Sequence, residues 1–172
     1  MFLFLQKKFL VKKFAVAVLI SGFLTAALTD CGKLGYDDTN YQGELPEQLI
    51  GTWDSDYSEV YDITAGNFIY DGGGFGDFAG TIEFVSNYSA NSGVIIIKYT
   101  SPPPTTEWYT YIPDYDYFGV YYRNLTATTV DLSNSYDPDG VTETATKEAA
   151  MAKFTKSGMA IYATMRAPCI KR

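Results

Sequence analysis

The chain has 172 residues, of which 47% are hydrophobic and 16% aromatic, and its formal net charge is −7. It contains no histidine and only two cysteines, which excludes Ser-His-Asp and Cys-His catalysis, imidazole-dependent zinc sites and a disulfide framework. An acidic chain is repelled by nucleic acid, so no nucleic-acid partner is expected.

The first element in chain order is an export signal over residues 1–30. Two lysine pairs, Lys7-Lys8 and Lys12-Lys13, precede an uncharged, largely apolar run from Phe14 to Thr29. A positive segment, an apolar segment and small residues before a cleavage point form the pattern of a signal peptide. The apolar run is shorter than the ~20 residues of a comfortable membrane-spanning helix. It ends at Leu28-Thr29-Asp30-Cys31-Gly32. This stretch resembles the lipobox of bacterial lipoproteins, in which the cysteine is diacylated and becomes the first mature residue. Asp30 stands where those proteins carry Gly, Ala or Ser. The resemblance implies palmitate-type acyl chains on Cys31 and a location in the bacterial cell envelope, tied to a membrane. Cleavage after Thr25-Ala26-Ala27 is the alternative and would release a secreted domain. Loss of residues 1–30 removes four lysines and one aspartate, leaving nine basic and nineteen acidic residues and a net charge of about −10.

Residues 31–47 are polar and turn-rich without an apolar period, which predicts a flexible tether. Residues 48–172 are long enough for one domain with a single core. Within it, Glu59 to Thr64 and Asn67 to Asp71 read as strands joined by a turn at Ala65-Gly66. Gly72-Gly73-Gly74 marks a loop. Thr81 to Ser86 alternates, with Ile82 and Phe84 expected on one face. Ala90-Asn91-Ser92-Gly93 is a hairpin signal, and Val94-Ile95-Ile96-Ile97 predicts a strand covered on both sides. Pro102-Pro103-Pro104 opens an extended loop. Phe118, Val120 and Tyr122 form an inward row opposed by Tyr121 and Arg123. Val130 and Leu132 do the same against Thr129, Asp131 and Ser133. Thr144 to Thr155 predicts a short amphipathic helix with Ala150, Met151 and Phe154 on its apolar stripe and Thr144 as its cap. Met159 to Met165 is the candidate for a last strand.

Leu49-Ile50-Gly51-Thr52-Trp53 resembles the first strand of lipocalin-like (calycin-type) barrels, which carry a Gly-x-Trp signature there. With Gly93 to Tyr99, Val120 to Thr126 and Glu148 to Phe154, the order also resembles small bacterial lipoproteins with lipocalin-like repeats. The tail from Gly158 lacks the aromatic closing strand of that group. The resemblance implies an all-β fold: a small antiparallel lipocalin-like β-barrel with one short helix near the C-terminus, in which the tryptophan closes one end. It implies a lipid-anchored location and no defined activity.

For chemistry, the carboxylate pairs Asp54/Asp56 and Asp114/Asp116 have the spacing of solvated surface charge. Asp137-Pro138-Asp139-Gly140 reads as a turn rather than a calcium loop, since late acidic ligands are missing. No catalytic residue, metal site or cofactor is expected, and the chain does not read as an enzyme. The positive signal is aromatic: all 15 tyrosines follow Cys31, and they concentrate between Trp108 and Tyr122. Trp108, Tyr109, Tyr111, Tyr115 and Tyr117 are the candidate ligand-binding residues, since tyrosine supplies an apolar face and a hydroxyl at low entropic cost. Packing of the same tyrosines on both faces of a sheet is the competing account. The expected role is a barrel that binds a small apolar ligand or a partner protein, or else a surface interaction protein without a small ligand.

Overall fold

In the computed structural model, residues 42–73, 76–106 and 109–172 are described. The expected signal segment and Cys31 lie outside them, as do most of the expected tether and Trp108. Eight strands follow one another: β1 (Gly51–Ser55), β2 (Val60–Ile63), β3 (Asn67–Asp71), β4 (Phe78–Ser89), β5 (Ser92–Ser101), β6 (Tyr117–Arg123), β7 (Thr129–Asn134) and β8 (Ala167–Lys171). Each pairs antiparallel with its sequence neighbour, and β8 also pairs with β1, which closes the barrel. The expected all-β barrel is therefore the fold.

An up-and-down meander alternates its connections between two ends. One end carries the short turns around Ala65, Asn91 and Thr126. A 3₁₀ turn, Glu47–Leu49, leads the chain into β1 there. Trp53 closes this end: it is fully buried, and its indole Nε1–H donates to the Leu49 carbonyl at 2.9 Å. Gly51 has φ +144°, a backbone conformation that L side chains rarely adopt, which accounts for the glycine two residues before the tryptophan. The last residues of the expected tether are held on β4, with Gly43 N donating to Val85 O and Asn87 Nδ2 to Glu44 O.

The other end carries the long connections: residues 72–77, 102–116 and 135–166. This is the mouth. The last of these connections folds over the outside of the wall as α1 (Lys147–Lys153) and α2 (Met159–Tyr162). Ala150, Phe154 and Ala163 are buried there with Phe84, Val94, Ile96 and Tyr121 in an outer cluster. The helix cap is Thr146, whose hydroxyl accepts from Ala149 N, rather than Thr144. Thr144 is occupied instead in a backbone bridge to Tyr117.

Two strand expectations are corrected. Ile82 and Phe84 face opposite ways, because a bulge at Glu83 sets Ile82 opposite Ile97 and Phe84 opposite the next residue, Ile96. Ile82 consequently packs on the inner core and Phe84 on the outer cluster. The last strand is not Met159 to Met165, whose first half is α2, but Ala167–Lys171.

The interior is filled. Trp53, Tyr61, Phe68, Tyr70, Phe78, Tyr99, Phe118 and Tyr122 all belong to the inner cluster. Neighbouring rings meet at centroid distances of 4.8 Å (Tyr70–Phe78) to 6.1 Å (Tyr61–Phe68). An eight-stranded barrel is just wide enough for its own side chains to fill it.

Candidate functional site

One cavity lies at the mouth, above the aromatic floor. A cavity of about 580 Å³ opens there between the β1–β2 turn, the ends of β2, β3 and β7, and the chain returning to β8. Tyr61 and Tyr70 form its floor, Glu59 and Asn134 its polar wall, and Tyr136 and Met165 its rim. Tyr57, Tyr136 and Met165 are 62%, 51% and 71% exposed. Large apolar side chains this exposed are normal singly, but here three share one opening.

Alternation along β2 explains the position of Glu59. Tyr61 and Ile63 point inward, so a side chain two residues before Tyr61 points to the same side, at the strand's open end. The carboxylate is held by hydroxyls. Tyr70 Oη donates to Oε1 at 2.7 Å, while Tyr61 Oη and Ser55 Oγ donate to Oε2 at 3.2 and 3.1 Å. Burial first, then the nearby Glu59 charge, raises the tyrosyl ionisation of Tyr61 well above its ordinary range. For Tyr70, burial and the hydrogen bond to Glu59 act the same way. Both tyrosines therefore stay neutral donors. Across the strands, Asn134 continues the inward row of Val130 and Leu132, facing the Tyr70 hydroxyl. Its Oδ1 is buried without a hydrogen-bond partner, as is Ser133 Oγ beside it.

A second carboxylate sits at the mouth. Glu143 is only 6% exposed and accepts from Tyr109 Oη at 2.8 Å and Tyr99 Oη at 3.4 Å. The tyrosines marked in the sequence are thus divided. Tyr109 reaches Glu143. Tyr111 packs on the inner core with its hydroxyl on Asp116 at 2.6 Å. Tyr115 is exposed, and Tyr117 belongs to the outer cluster with Lys98 over its ring. None of these lines the cavity beside Glu59. Glu59, Tyr61, Tyr70 and Asn134 were not singled out in the sequence, although the alternation Glu59-x-Tyr61 was there to be read.

Other reactive groups are engaged. Cys169 is 2% exposed, and burial pushes its thiol up to about 12. Asp54 forms a two-pronged ion pair with Arg172 at 2.6 and 2.7 Å. Asp137 pairs with Lys153 at 2.8 Å and accepts from Asp139 N, which makes the Asp137–Gly140 segment a turn tied to α1.

No family model, curated protein or solved structure matches the chain. The site is accordingly interpreted from its own chemistry.

Proposed function

We propose that the chain is a lipid-anchored, extracytoplasmic binding module of the bacterial cell envelope, without catalytic activity, whose mouth takes a small molecule with an apolar body. The observation that carries this reading is the mouth cavity, which joins exposed apolar rim residues to the Glu59 carboxylate held by three hydroxyls. Concave sites with a mostly apolar lining and a few convergent polar groups are the usual form of small-molecule sites. The filled interior makes the mouth cavity, rather than the inside of the barrel, the place for the ligand.

Native mass spectrometry of the chain, gently purified from the membrane fraction, should reveal a bound small molecule. Thr164→Trp, which crowds the cavity from an exposed position, should lose it. A chain that carries nothing, and takes up no neutral aromatic probe, would overturn the binding reading. Fatty-acid labelling of the natural chain but not of Cys31→Ala tests the anchor.

The filled interior also supports a second reading, a surface interaction protein without a small ligand. In that case Tyr57, Tyr136 and Met165 are contacts for a protein partner, and Tyr57→Ala should weaken capture of it while no small molecule is bound.

A further inference from the structure

We propose that the mouth cavity selects a protonated amine on an apolar body, with Glu59 as its counter-ion. This rests on the binding reading above and specifies its ligand class. Inside the rim, the cavity presents the Glu59 carboxylate, and the hydroxyls beside it have their protons engaged. Glu59 can use about four lone-pair positions and receives three hydrogen bonds, all from neutral hydroxyls. Those bonds fix the carboxylate without neutralising it. The ion pairs among the described residues, Lys153–Asp137 and Arg172–Asp54, leave Glu59 without a basic partner. Asn134 Oδ1, also without a hydrogen-bond partner, is buried behind the wall, so Glu59 is the acceptor that carries the charge. The protons of Tyr61 and Tyr70 are already given to Glu59, so neither hydroxyl has a proton left for a guest.

An ammonium group answers each of these demands. It brings three N–H donors and a positive charge, and the tyrosine rings at the opening offer it their negative faces. A neutral alcohol could satisfy one acceptor but would leave the charge unpaired. An anion would meet Glu59 directly. The opposing feature is Arg166, the one cation lining the cavity among the described residues. Its side chain is exposed, and it lies close enough to Arg123 to lower that residue's ionisation. Water screens an exposed charge far more than a half-buried one, so Glu59 dominates inside and Arg166 weakens the preference from the rim.

The test compares three probes of similar shape on the purified full chain by calorimetric titration: 2-phenylethylammonium, 2-phenylethanol and 3-phenylpropanoate. The cation should bind about tenfold or more tightly than the alcohol, the scale of one charge-assisted hydrogen bond. Glu59→Gln should abolish that preference. Arg166→Gln should strengthen cation binding roughly twofold to fivefold, the range of a screened surface charge. Equal binding of cation and alcohol, preference for the anion, or a cation preference that survives Glu59→Gln overturns the proposal but not the binding reading. Failure of all three probes overturns both. Should Glu59→Gln not fold by circular dichroism, the Arg166→Gln arm decides, and an unchanged cation affinity there overturns the proposal.

Discussion

Gly119 and Phe154 fit as socket and knob: a Cβ placed on Gly119 would lie 2.6 Å from the Phe154 ring. Gly119 is on the outer face of β6, opposite Ile96 of β5, and Phe154 ends α1 fully buried. Without the glycine the ring would stand off the wall, and the excursion that carries Glu143, Tyr136 and Met165 around the mouth would lose its anchor.

This contact predicts a non-additive pair. Phe154→Ala should cost ~3–5 kcal/mol of stability, as a buried aromatic usually does. Gly119→Ala should cost about 1–3 kcal/mol through overpacking, because the ring has no flexible end that can move aside. With Phe154 already alanine, Gly119→Ala should be neutral or slightly stabilising, since glycine in a strand carries an entropic cost. Urea unfolding of the four proteins measures the coupling. Additive losses would show that the two residues do not share a socket.

The closed end predicts stability losses without loss of binding. At φ +144°, Gly51→Ala is strained whatever the space around it, at a cost of about 1–3 kcal/mol. Trp53→Phe leaves the buried Leu49 carbonyl without its indole donor, a loss of about 1–3 kcal/mol before any packing defect. It also removes the ring beneath Lys171 Nζ, which lies 5.0 Å from its centroid. Both variants should unfold at lower urea while still binding a neutral aromatic probe at the mouth with unchanged affinity. A parallel fall in binding would show that the two ends are coupled.

Where one physical rule governed, the sequence was enough. Phe118, Val120 and Tyr122 do point inward with Tyr121 outward, and Ile95 and Ile97 face the inner core while Val94 and Ile96 face the outer cluster. Alternation failed at Phe84 because a bulge breaks its period, and nothing in Ile82-Glu83-Phe84 announces the extra residue. The closing strand was hidden by Pro168, which reads as a strand breaker. It is tolerated because its carbonyl serves Asp56 N and its missing N–H costs only one ladder bond. The aromatic-rich stretch after Trp108 drew attention by density alone. The mouth cavity is instead assembled from β2, β3, β7 and the return to β8, which are far apart in sequence. No local pattern connects Glu59 to Asn134.

The buried tyrosines predict steep alkaline unfolding. Tyr61, Tyr70, Tyr99 and Tyr122 are at most 7% exposed. Burial raises the ionisation of all four, that of Tyr122 up to about 12 and those of the other three well above the ordinary range, and nearby Glu59 or Glu143 adds to the effect in those three. Each group holds its proton more tightly folded than unfolded. Their contribution is therefore fully present below the unfolded tyrosine value near pH 10 and is lost as the pH rises above it. Each tyrosine still protonated in the fold then removes about 1.4 kcal/mol per pH unit, so the four together remove roughly 5 kcal/mol per unit. That is comparable to the whole stability of a small domain, which places cooperative unfolding between about pH 11 and 12. Tyrosinate absorbance from this set should rise in step with the loss of far-ultraviolet circular dichroism. Tyr122→Phe should move the midpoint to higher pH, having one proton fewer to lose. Ionisation of the whole set well before the barrel unfolds would mean that these hydroxyls reach water in the folded state, and that Glu59 is held less firmly than its hydrogen bonds indicate.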